Sequence, residues 1–180
     1  MDKIVNVADY IIKRYQELTG ECLDEMKLHK LLYFTQRESF AILGAPAFDG
    51  SFEGWKFGPV SRDVRNSFIN GEIVVPTVPI SDSVQYIASN VIMEYGSLAS
   101  WKLSELSHQE KSWNNARKGL APWENGDREI ALSDIIEDAK KVRPYDHVWG
   151  MYYDEFEDDN DVEKVMPHDR ETVHGKNSVL

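Results

Sequence analysis

Positive charge, cysteine and long apolar runs are all scarce in this chain. Its 180 residues carry 20 Lys and Arg against 31 Asp and Glu, a formal net charge of −11. Such a surface repels phosphates, so no nucleic acid is expected as a partner, and proteins with a basic or apolar docking face are favoured. The single cysteine, Cys22, has no internal partner for a disulfide, which fits a reducing compartment and an inert thiol beside a helix. No stretch approaches the roughly 18 apolar residues of a membrane span. Near the N-terminus, Asp9, Lys13 and Arg14 break the apolar core a signal peptide would need. The expectation is a soluble, cytoplasmic protein without membrane association.

Signatures of chemistry are equally sparse. Gly50, Gly54 and Gly58 recur every fourth residue. That is neither the GxGxxG of dinucleotide sites nor a phosphate loop ending in Lys-Ser/Thr, so they read as turn positions. Ser107 and His108 are sequence neighbours, and adjacency does not make a nucleophile and base. His168, Asp169, Glu171 and His174 lie close together, but not at the spacing of the helical HExxH motif, and Pro167 and Gly175 oppose a long helix there. No catalytic residue, metal or cofactor is expected, and the chain does not read as an enzyme.

What is present is a core-forming supply of apolar and aromatic residues. Hydrophobic residues make up 42% of the chain, with 5 Trp, 8 Tyr and 7 Phe, enough for one domain plus an extension. The pattern predicts a mainly α, compact domain of about six or seven helices. The first helix spans 7–19, capped by Asn6, with Val7 or Ala8, Ile11, Tyr15 and Leu18 inward and Gly20 as its stop. The second runs from its cap Asp24 to about Leu43, burying Leu28, Leu31, Leu32, Thr35 and Ile42 and turning Lys27, Lys30, Arg37 and Glu38 outward. Between residues 47 and 58 the period changes. Asp49-Gly50 signals a turn, and Glu53, Trp55 and Phe57 alternate with smaller or polar residues, so a small β-hairpin or short strands are expected.

Downstream, Pro59 suits the first turn of a third helix over 60–69, and residues 70–80 read as a loop with a short extended piece at 73–75. A fourth helix follows Ser81, Asp82 or Ser83, with Val84, Ile87, Val91 and Tyr95 on one face. A fifth covers 98–106. Ser107 and Glu110 form a capping box that starts a sixth, carrying Trp113 and Ala116 inward. Ser133 caps a seventh helix to about Val142. Trp55, Phe57, Trp101, Trp113, Trp123 and Trp149 are core candidates. Trp55-Lys56-Phe57 and Pro122-Trp123 are also the loop aromatics best suited to an interface.

Two domains of unequal kind are expected, 1–150 and an acidic C-terminal extension, 151–180. The extension holds nine acids against three Lys or Arg, a balance of −6 out of the total −11. Its aromatics Tyr152, Tyr153 and Phe156 stand among acids. They would either dock on a basic, grooved partner or pack back on their own domain.

Three segments carry a family resemblance. Residues 27–34 read K-L-H-K-L-L-Y-F, residues 54–60 read G-W-K-F-G-P-V, and residues 106–117 read L-S-H-Q-E-K-S-W-N-N-A-R. In this order they resemble the Panacea domain of the SocA-like antitoxins, over about residues 5–140, with Ser112 standing where the family often has proline. The resemblance implies a mostly helical antitoxin with no associated catalytic residues. It would neutralise a toxin encoded beside it by direct binding, or act as an adaptor that delivers the toxin to a ClpXP-type protease. The alternative is a phage or mobile-element protein that binds and modulates a host protein. The residues expected to bind the partner are Trp55, Lys56, Phe57, Gly58 and Pro59, with Tyr152, Tyr153 and Phe156 second.

Overall fold

The computed structural model describes residues 1–71 and 78–143. The extended piece expected at 73–75, Trp149, and the acidic extension with Tyr152, Tyr153 and Phe156 lie outside them. Among the described residues the chain forms seven helices: α1 (Ile4–Thr19), α2 (Glu25–Leu43), α3 (Arg62–Ile69), α4 (Asp82–Tyr95), α5 (Ser100–His108), α6 (Lys111–Ala116) and α7 (Leu132–Ala139). Four short strands accompany them: β1 (Asp2–Lys3), β2 (Phe48–Asp49), β3 (Glu53–Trp55) and β4 (Gly58–Val60). The fold is mainly α, as its composition and periodicity predict.

The axle of the fold is α2. Asp24 caps it by accepting from the Lys27 amide at 2.9 Å, and Gly44 ends it in the left-handed region. The expectation of one buried stripe is wrong. Every residue from Lys27 to Ser39 is buried, because α1, α3, α4, α5, α7 and β4 all pack around this one helix. The predicted outward charges therefore lie inside. Lys27 donates to Tyr15 Oη and to the Gly96 carbonyl, tying α2 to the end of α4. Arg37 donates to Glu38 Oε1 and Tyr95 Oη, pairs with Glu110, and lies 4.7 Å from the Phe34 ring centre. A buried guanidinium needs such a set of acceptors to replace lost water. Ile42, expected inside, is 41% exposed where the packing around α2 ends.

Local expectations fail where a distant contact decides. The first helix begins at Ile4 rather than Val7. The preceding Asp2 and Lys3 are extended by parallel pairing with Phe48 and Asp49, and Ile4 is already in the core. Leu18 is exposed. The aromatic segment divides: β2 joins β1, and only β3 and β4 make a hairpin. Pro59 belongs to β4 opposite Gly54, and α3 starts later, at Arg62. The Ser107–Glu110 capping box does not form. Ser107 sits inside α5 with its hydroxyl donating to the Ser104 carbonyl, and Glu110 takes the N-cap position of α6 without a side-chain cap bond. The seventh helix follows Ala131 rather than Ser133 and ends at Ala139.

Candidate functional site

The three segments singled out in the sequence meet at one place. The β3–β4 hairpin pairs Glu53 with Val60, Gly54 with Pro59 and Trp55 with Gly58, leaving Lys56 and Phe57 as its two-residue tip. From α2 below, Lys30 Nζ donates to the Pro59 carbonyl at 3.2 Å. From α6 at the side, Trp113 Nε1 donates to the Trp55 carbonyl at 2.8 Å. Arg117, just past α6, donates to the Gly54 carbonyl at 3.0 Å. Ser104 of α5 donates through its hydroxyl to the Phe57 carbonyl at 2.8 Å. The hairpin is thus held by its main chain, which leaves its side chains free of structural duty at the tip.

Two features make Gly58 irreplaceable. Its φ of +105° lies where side chains are strained, and a Cβ there would stand 2.4 Å from both Lys30 Cε and Ser107 Oγ. The backbone of the hairpin therefore rests directly on the lysine stem and the α5 serine. Ser107 is a packing residue at this contact. His108 stacks on Trp113 with ring centres 4.0 Å apart, which stiffens the support behind Trp55.

Of the expected binding residues, Phe57 is the most displayed, at 55% exposure. Trp55 is half-buried. Its indole N–H donates to Glu53 Oε2 at 2.8 Å, and the Arg65 guanidinium stands 5.1 Å from its ring centre. Glu53 is partly desolvated, but hydrogen bonds from Arg62 and Trp55 outweigh that and hold its carboxyl below the usual range. Lys56 is half-buried, with its amide donating to Asn125 Oδ1 and its ammonium 5.0 Å from the Phe57 ring centre. Gly58 and Pro59 are buried and act as scaffold. The structure brings these five together; Tyr152, Tyr153 and Phe156 lie outside the described residues. The core expectation fails for Phe57, for Trp101 at 63% exposure and for Trp123 at 75%, all of which lie on the surface.

A cleft of about 240 Å³ opens between the hairpin and the N-terminal half of α2, edged by Met26, Trp55, Phe57 and Val60. Charged and polar groups also line it: Glu25, His29, Lys30, Lys56 and Arg65. Arg65 donates to Glu25 Oε1 at 2.7 Å. His29 Nδ1 accepts from the Ser61 amide, which leaves its proton on Nε2. Burial, with Lys30 and Arg65 nearby, pushes His29 down to about 3, so its 3.5 Å approach to Glu25 is not an ion pair at neutral pH. Lys30 is 1% exposed, and burial lowers its ammonium to about 7 against the opposing pull of Asp24 and Glu25. Sequence reasoning missed Lys30, His29 and Arg65 as neighbours of the hairpin. The available signal was the unbroken apolar run Leu31-Leu32-Tyr33-Phe34, which no one-sided helix would carry.

Among the described residues no group of three or more His, Cys, Asp or Glu could hold a metal, and no helix is long and apolar enough to cross a membrane. Residues 28–114 match the family model described as Antitoxin SocA-like, Panacea domain. A curated relative, Antitoxin SocA of Caulobacter vibrioides (strain NA1000 / CB15N), is 24% identical over 103 residues, covering 48% of this chain and 55% of that protein. The chain thus spans about half the length of the curated relative it matches. No solved structure matches it. The match begins in α2, takes in the whole hairpin and α5 and ends in α6, so over residues 28–114, just under half of its length, the chain is similar to the Panacea domain of the SocA-like antitoxins.

Proposed function

We propose that this protein is the antitoxin of a toxin–antitoxin pair and that it neutralises its toxin by direct binding through the β3–β4 hairpin. The observation that carries this is the division of labour in the hairpin. Its main chain is fixed from three helices, and the side chain at its tip, Phe57, points into solvent at 55% exposure. A rigid, displayed aromatic loses little entropy on binding, which is the character of an interface anchor. The family match supports a toxin as the class of partner.

The test is co-expression of the neighbouring gene with this protein. Growth arrest by the neighbour alone, relieved by the chain, is the expected result; a harmless neighbour removes the reading. In the same assay Phe57→Asp abolishes rescue and weakens the complex by about 100-fold, as for an interface anchor of about 2–3 kcal/mol. Its thermal melt stays within about 0.5 kcal/mol of the parent, because Phe57 is outside the core. Occlusion and proteolytic delivery separate in a chase experiment. An adaptor shortens the toxin's half-life only in cells that hold the protease, whereas an occluding antitoxin leaves the half-life alone.

A further inference from the structure

The cleft beneath the hairpin contains a buried lysine with which no described carboxylate pairs. Among the described residues, the Pro59 carbonyl is the one acceptor that Lys30 Nζ reaches, so two of its three N–H bonds remain free. No described carboxylate comes within ion-pair distance of Lys30 or Lys56. Glu25, the acid in the lining, is already paired with Arg65. The buried Nε2–H of His29 faces the same cleft and makes no hydrogen bond. On a chain of net charge −11, this is a local positive site with three N–H bonds unspent, two on Lys30 and one on His29. Burying an ammonium without a counter-charge is unfavourable, and the natural completion is a carboxylate.

The surroundings specify what carries that carboxylate. Met26 and Phe57 are exposed at the edge, at 36% and 55%, and Trp55 lines the same cleft. The volume of about 240 Å³ is below the roughly 300–1,000 Å³ of a drug-sized ligand site, so it suits one or two side chains of a docked segment. We propose that this cleft receives an acidic–aromatic segment of the protein partner. A side-chain carboxylate of that segment accepts from Lys30 Nζ, and the neighbouring ring lies against Trp55 and Phe57. This rests on the protein-binding reading above and names the chemistry of the partner's contact. Because burial lowers the Lys30 ammonium toward neutrality, the arriving anion also draws a proton onto it.

The experiment uses the full-length chain, isotopically labelled, and two blocked peptides: acetyl-tyrosyl-aspartyl-phenylalanine amide and its asparaginyl isostere. Backbone amide shifts of residues 54–60 report binding. The aspartyl peptide is expected to bind about tenfold more tightly, the value of one charge-assisted hydrogen bond. Lys30→Met is expected to remove that difference. Equal binding of the two peptides, binding of neither, or an unchanged difference in Lys30→Met each overturns the proposal. If Lys30→Met does not fold, the acid–amide comparison on the parent protein decides alone. No toxin enters these measurements, so the two readings fail separately. A chain that discriminates the peptides but rescues no growth loses the antitoxin function, and one that rescues growth without discriminating loses the cleft.

Discussion

Lys30 and Gly58 show how much of this site rests on single atoms. The lysine stem fills the space a β-carbon on residue 58 would take, so a glycine and a buried cation are packed as one unit. Gly58→Ala combines backbone strain with overpacking and is expected to cost about 2–4 kcal/mol in urea unfolding. Ser107→Gly, which clears one of the two obstructing atoms, recovers part of that loss if the contact is the cause. Trp55 and Phe57 separate at this scale also. Trp55 is bound through its indole and its carbonyl, so its replacement damages the hairpin as well as the cleft, whereas replacing the exposed Phe57 leaves the hairpin intact and tests the proposed interface.

At the level of elements, α6 deserves notice for the way it starts. A proline at the position of Ser112 would preset the first turn. Here the start is held from α7 instead. Asp138 accepts from the Lys111 amide at 2.9 Å and the Ser112 amide at 2.8 Å, and the Ser112 hydroxyl meets Tyr33 Oη of α2 at 2.7 Å. A carboxylate at a helix N-terminus caps two orphan amides and opposes the positive end of the dipole. Asp138→Ala therefore costs about 2–4 kcal/mol, because Asp138 is buried and its loss strands both amides. The same substitution loosens α6, and with it the Trp113 bond to the hairpin, so amide exchange should rise at residues 54–60 as well as 111–116.

For the whole molecule, the buried bases of α2 set the response to pH. His29 holds its folded value near 3 against an ordinary 6.5, so the unfolded chain binds the extra proton between them. Stability rises as pH climbs through that window and is lost as pH falls through it. Lys30 behaves alike between about 7 and its ordinary 10.5. The parent should gain stability from pH 7 to 9 by this route, and Lys30→Met should flatten that gain, as judged by paired denaturant titrations. Comparing the two proteins cancels the self-repulsion common to both, which grows with pH in so acidic a chain. Parallel slopes would show that Lys30 is solvated.

Periodicity, caps and turn residues are properties of neighbours along the chain, and they alone determined the existence and order of the helices, the stop at Gly44, the cap at Asp24 and the short strands near residues 47–58. The same local patterns identified the Trp55–Pro59 segment, because aromatic and glycine positions in a turn are conspicuous without any fold. They could not place Lys27, Lys30, Arg37 and Glu38 inside. A charged residue reads as solvated until elements remote in sequence close over it, and here six of them close over α2. The tertiary structure alone decided that Ser107 packs rather than caps, that Pro59 serves a strand, and that a buried lysine lies beneath the hairpin. The hairpin pairing of Pro59 is local, but the seating of the hairpin on Lys30 and Ser107 depends on partners dozens of residues away, where packing outweighs local preference.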